Sequence, residues 1–223
     1  MNTIGTVPPE TTPGVRRRIL WGLVALVVLY AVVDTALLLS PMFIPVLRLQ
    51  GAHYNWGGKM VSITFACILL AWSLWLRQNV GLRLQQSPGS FRLSFICFFA
   101  CIAAGVVTEL PIRVEAFSLE VLLFQAFVPS ITEELSYRGI MLSLLERAFG
   151  HSPISGRMHF GWAALITSLM FGLLHWPDPT AMFIAAAAGS ILALVRTRSG
   201  SLLWPIMCHT ALNLPHHAVA MIL

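Results

Sequence analysis

The stretch that decides the reading is ITEELSYRGIMLSLLERAF, residues 131–149, where Glu133, Glu134 and Arg138 interrupt a run otherwise apolar enough to lie in a bilayer. Ionisable side chains are expensive in hydrocarbon and generally mark function there. On a helix, Glu134 and Arg138 are four residues apart with the acid N-terminal, the favoured order for an ion pair. Glu133 lies about 100° further round the axis, so it faces elsewhere and stays available for proton transfer. The doublet therefore divides into a site-organising acid and a candidate catalytic acid.

The rest of the chain agrees with a membrane setting. Of 223 residues, 57% are hydrophobic and only 10% charged, against about 25% charged in soluble domains. Beyond the Glu pair's own run at about 117–147, apolar runs occur at about 19–40, 60–76, 93–110, 160–176, 180–195 and 201–221. At roughly 20 residues per crossing, this predicts an all-α polytopic bundle with seven spanning helices. Pro129 allows an eighth element, because it disfavours helix immediately before it and would divide the fourth run near Val128. With seven spans and the N-terminus inside, ten of the 14 basic residues fall inside, Arg48, Lys59 and Arg113 outside, and Arg138 in the membrane. That asymmetry fits the positive-inside rule and predicts an integral, multi-pass protein of the cell (cytoplasmic) membrane.

Residues 1–18 are predicted to form a disordered, basic N-terminal tail, and 19–223 a single membrane-embedded domain with its chemistry concentrated in 130–215. The net charge of +5 is spread over short loops, and the sequence has no P-loop, dinucleotide fingerprint or basic and aromatic interleaving, so nucleic acid is not an expected partner. The four cysteines lie in apolar runs without metal-ligand spacing and read as small core residues.

Three further polar residues stand in later apolar runs. His175 ends MFGLLHW before Pro177 and Pro179, and His209 and Asn213 in MCHTALN share one helical face at i and i+4. Peptide hydrolysis needs a water, a base, and donors aimed at the oxyanion of the tetrahedral intermediate. Glu133 with His175 can supply the first function, and His209 with Asn213 the second. One carboxylate and two imidazoles, Glu133, His175 and His209, could instead hold Zn²⁺ with an open position for water. The same polar residues would also serve as interhelical fastening. Asp34 is a further intramembrane acid without a local partner, and His216 and His217 read as interfacial. Counted from the helix ends, His175 and His209 need not share a depth.

EExxxR at Glu133, Glu134 and Arg138, FxxxH at Phe171 and His175, and HxxxN at His209 and Asn213 occur in order, and here the chain resembles the CPBP family of intramembrane proteases, which includes CAAX prenyl endopeptidases and bacteriocin-processing or immunity-associated relatives. The resemblance implies a glutamate-type endopeptidase in which Glu133 and His175 activate water, His209 and Asn213 stabilise the oxyanion, and Glu134 and Arg138 organise the site. It implies no required cofactor, although a metal-dependent mechanism with Zn has been entertained for such proteins. The substrate would be a membrane-anchored peptide or protein, in contact with the lipid bilayer. The rival expectations are a proton- or ion-coupled transporter using the same Glu and His as a relay, and a non-catalytic membrane peptide-binding or immunity protein.

Overall fold

The computed structural model describes residues 13–108, 119–149, 153–155 and 158–219. Helix α1 (Pro13–Leu38) is followed by the short α2 (Ser40–Phe43) and a 3-10 turn, then α3 (Trp56–Trp72), α4 (Leu74–Asn79) and α5 (Phe91–Thr108). The second half holds α6 (Leu119–Glu134), a π-helical turn (Leu135–Met141), α7 (Leu142–Phe149), strands β1 (Pro153–Ser155) and β2 (Met158–Gly161), α8 (Trp162–Leu173), α9 (Pro179–Ser199) and α10 (Leu203–Val219). The bundle is all-α apart from the small antiparallel β1–β2 pair, in which Pro153 faces Gly161.

Local chemistry sets the helix boundaries. Asn55 caps α3 by accepting from the Gly58 amide at 2.9 Å, while its Nδ2 donates to the Leu38 carbonyl and so ties α3 to the end of α1. Ser73 interrupts the apolar run at 60–76 by capping α4. Asp178 caps α9 through the amides of Thr180 and Ala181, with Pro179 in the first turn. Helix α1 starts at Pro13, so the part of the expected tail from Pro13 to Arg18 is helical, and residues 1–12 lie outside the described residues.

The division at Pro129, which an eighth element would need, does not occur. The backbone stays helical from α6 through the π turn into α7. A proline inside a helix leaves the carbonyl four residues earlier without its donor. Here that acceptor, Gln125 O, receives Asn213 Nδ2 at 3.3 Å. Its neighbour Ala126 O accepts from both Ser130 Oγ and Thr210 Oγ1, so α10 repairs the backbone that Pro129 opens.

Helix α8 packs on α9, α10 on α5 and α6, and α1 on α3 and α7. The main core gathers around the π turn, whose seven residues are all buried, together with Leu142, Leu145, Phe171 and Leu202. A second core joins Cys97, Cys101 and Cys208 to Leu192 and Trp204. All four cysteines are free, and Cys67 is exposed, contrary to its expected core position. The perimeter is apolar, with Trp21, Val32, Phe43, Trp72 and Val107 each more than half exposed.

Among the described residues, two helices are long and apolar enough to cross a membrane, Arg17–Leu38 and Pro179–Ser199. Three further apolar helices, Trp56–Trp72, Phe91–Val107 and Trp162–Leu173, are shorter. The difference from seven spans arises where apolar sequence continues past the end of a helix. The run at 60–76 is divided at Ser73, and that at 160–176 turns at Leu173, ahead of Pro177 and Pro179.

Candidate active site

Glu133 and Glu134 occupy the last turn of α6 and Arg138 the π turn that follows. Single π turns inside α-helices are frequent at functional sites, because the extra residue per turn re-aims side chains. Arg138 and Glu134 are fully buried, and Arg138 Nη1 lies 2.9 Å from Glu134 Oε1, the pairing expected from their spacing. The Arg138 guanidinium also sits over the Phe171 ring, 4.3 Å from its centroid. Gly189 on α9 makes room for it, since a Cβ there would come within 2.9 Å of Arg138 Nη2.

His209 joins the two carboxylates. Its Nδ1 lies 2.9 Å from Glu134 Oε1, and its Nε2 lies 4.0 Å from Glu133 Oε2. A carboxylate on one ring nitrogen fixes the orientation of an imidazole and the role of the other nitrogen. Glu134 therefore contacts two partners, Arg138 and His209, where the spacing on its own helix points to one.

Phe171 of the FxxxH motif is the hub of the aromatic contacts. Its ring meets those of Tyr137, His175 and His209 edge-on, at centroid distances of 5.4, 5.6 and 5.7 Å. His175 lies just past the end of α8, exposed, with Nδ1 3.3 Å from the Phe171 carbonyl, and it is within electrostatic reach of Glu133. The two imidazoles thus meet the same ring. Asn213 is partly buried, and one of its amide hydrogens is engaged by Gln125 O.

Two residues near Glu133 were not assigned to the site from the sequence. Lys59 Nζ, in the first turns of α3, lies 2.6 Å from Glu133 Oε1, both side chains being largely buried. Asp34 on α1 accepts from Ser62 Oγ and lines the same small cavity as Lys59, Glu133 and Tyr137. Tyr30 and Ser136 share a hydrogen bond at 2.9 Å between α1 and the π turn. The signal available in the sequence was Asp34 itself, an intramembrane acid without a local partner. Lys59 was hidden by its position at the edge of an apolar run, where it counted as a loop charge.

Glu133, His175 and His209 do not converge as metal ligands, and among the described residues no three His, Cys, Asp or Glu side chains form such a group. The side chains of His216 and His217 lie outside the described residues.

Residues 115–215 match the family model described as Type II CAAX prenyl endopeptidase Rce1-like. Over this part the chain carries a CAAX/Rce1-like endopeptidase domain. The match spans all three motifs, from Glu133 to Asn213, and agrees with protease activity. Lys59 and Asp34 stand outside it, on α3 and α1, so residues of the N-terminal helices lie against Glu133 of the matched segment. Searches of curated proteins and of solved structures returned no match.

Proposed function

We propose that this chain is an intramembrane endopeptidase that hydrolyses one peptide bond in a membrane-associated peptide or protein. The observation that carries the reading is the buried His209 ring held between Glu134 at 2.9 Å and Glu133 at 4.0 Å. The longer gap exceeds a direct hydrogen bond and suits a shared water.

Glu133 takes a proton from that water, with His175 assisting from the exposed side of Phe171. The oxygen attacks the substrate carbonyl carbon, and the developing oxyanion accepts from His209 Nε2–H and from the Asn213 carboxamide. Glu133 then returns its proton to the leaving amine. Lys59 pairs with Oε1 of Glu133 and leaves Oε2 turned toward the water. Glu134 and Arg138 act by holding His209 and Phe171 in place.

The apolar perimeter and the excess of basic residues in the loops assigned to the inside support a multi-pass arrangement with the N-terminus inside. The test is cleavage of candidate membrane peptides by the full-length protein reconstituted in lipid. Glu133→Ala and His175→Ala should abolish turnover while helical content is kept. Full turnover by both variants would rule the assignment out.

A further inference from the structure

The connection between α4 and α5 is laid across the turn from α9 to α10. The Leu202 amide donates to Gly81 O and the Ser87 amide to Ser199 O, each at 2.9 Å. Ser201 Oγ donates to Arg83 O, and Arg83 Nε donates to Gly200 O at 2.8 Å. The two glycines in this seam have left-handed backbones, φ +81° at Gly81 and +69° at Gly200. Each is also backed by a guanidinium. A Cβ on Gly81 would come within 2.8 Å of Arg196, and one on Gly200 would collide with Arg83 Nη2. The seam thus seats two arginines side by side.

Between them opens a polar cavity of about 310 Å³, lined among others by Gln78, Arg83, Ser87, Glu146, Arg196 and Thr197. Arg196 is 6% exposed. Its Nη2 donates to Asn79 O at 2.7 Å, but its Nε has no hydrogen-bond partner. A buried guanidinium donor with no acceptor is unfavourable unless a ligand completes it. Two guanidiniums face one carboxylate here, so the cavity favours an anion. It is too large for a monatomic ion, and its hydroxyl and amide side chains suit a group with several acceptor oxygens. Planar guanidinium forks match phosphate oxygens in pairs.

We propose that this cavity binds a phosphate group, at a site separate from the Glu133 centre. None of the motif residues lines it. The ligand is a phosphate ester or free phosphate. Exposed Leu82 and Leu84 on the same connection, and exposed Trp162 beside the lining residue Gly161, give the cavity an apolar rim on which the acyl chains of a phospholipid can rest. These loops are the ones the basic-residue count assigns to the inner side.

The test is thermal unfolding of the purified full-length protein in a phosphate-free maltoside detergent. One arm is titrated with inorganic phosphate, the other with short-chain phosphatidylglycerol, and a chloride titration matches ionic strength. A saturable rise in melting temperature in the lipid arm alone identifies a phospholipid headgroup, and a rise with inorganic phosphate identifies the free anion. Either supports the site if Arg83→Gln raises the half-effect concentration about tenfold or more, as loss of a charged hydrogen bond should. Arg198→Gln, exposed and outside the cavity, should leave it unchanged. Arg196→Gln should match Arg83→Gln; if it fails to fold, the Arg83 variant decides. No saturable rise in either arm, an equal rise with chloride, or an unchanged response in Arg83→Gln overturns the proposal.

Discussion

Asn213 Nδ2 donates to the carbonyl of Gln125, the acceptor that Pro129 leaves without a helical donor. One carboxamide on α10 therefore repairs the helix that carries the Glu pair while standing one turn from His209. Structural and chemical roles meet in the same side chain, and a simple deletion would confound them.

The two roles separate in a pair of variants. Asn213→Ala should lower both thermal stability and turnover. Adding Pro129→Ala restores the amide at position 129, and with it the helical bond to Gln125, so stability should return. Turnover should not, because losing one oxyanion donor costs on the order of 10²–10³ in rate. Recovery of turnover together with melting temperature in the double variant would assign Asn213 to the backbone alone.

Glu134 and Arg138 are both fully buried, and breaking such a pair leaves an uncompensated charge. Glu134→Gln or Arg138→Met alone should destabilise the protein by about 3–5 kcal/mol. The double variant should lose less than the sum, since neither charge is then stranded. Chemical unfolding of the four proteins measures this coupling, and additive losses would contradict it. Glu134→Gln should also lower turnover more than Arg138→Met, because it alone removes the carboxylate that orients His209.

Lys59 touches the proposed base and not the substrate. Lys59→Met should therefore lower kcat with little change in KM. Loss of one charge-assisted hydrogen bond corresponds to a factor of about 10–100 in rate. Lys59→Arg should recover part of it, and rescue by charge distinguishes this role from simple packing. An unchanged kcat in Lys59→Met would remove Lys59 from the site.

Much of the site was legible because its pairings are local or periodic. Glu134 with Arg138 follows from spacing on one helix, and the shared face of His209 and Asn213 follows in the same way. The links across helices were not legible. Nothing in the spacing of His209 says that its Nδ1 reaches Glu134, or that Lys59, 74 residues before Glu133, neutralises it. Pro129 left the alternative of a break open for a related reason: the donor that mends the helix lies on α10, outside any local window. The π turn was equally invisible, since a one-residue widening leaves no mark on an apolar run. Sequence periodicity identified the residues that carry charge, and tertiary packing decided which of them meet.

A last expectation concerns metal. Lys59 Nζ occupies Oε1 of Glu133 at 2.6 Å, so a divalent cation bound there would meet an ammonium already in contact with its carboxylate ligand. His209 presents only Nε2 to that side, because Nδ1 is engaged by Glu134. A chelator should therefore leave the kcat/KM of the reconstituted protein unchanged over the concentration range that strips a three-ligand zinc site. Loss of turnover on chelation, restored by added Zn²⁺, would instead require Lys59 to swing away and Glu133, His175 and His209 to close on the metal. Lys59→Met would then raise zinc affinity, an outcome that direct metal titration can read.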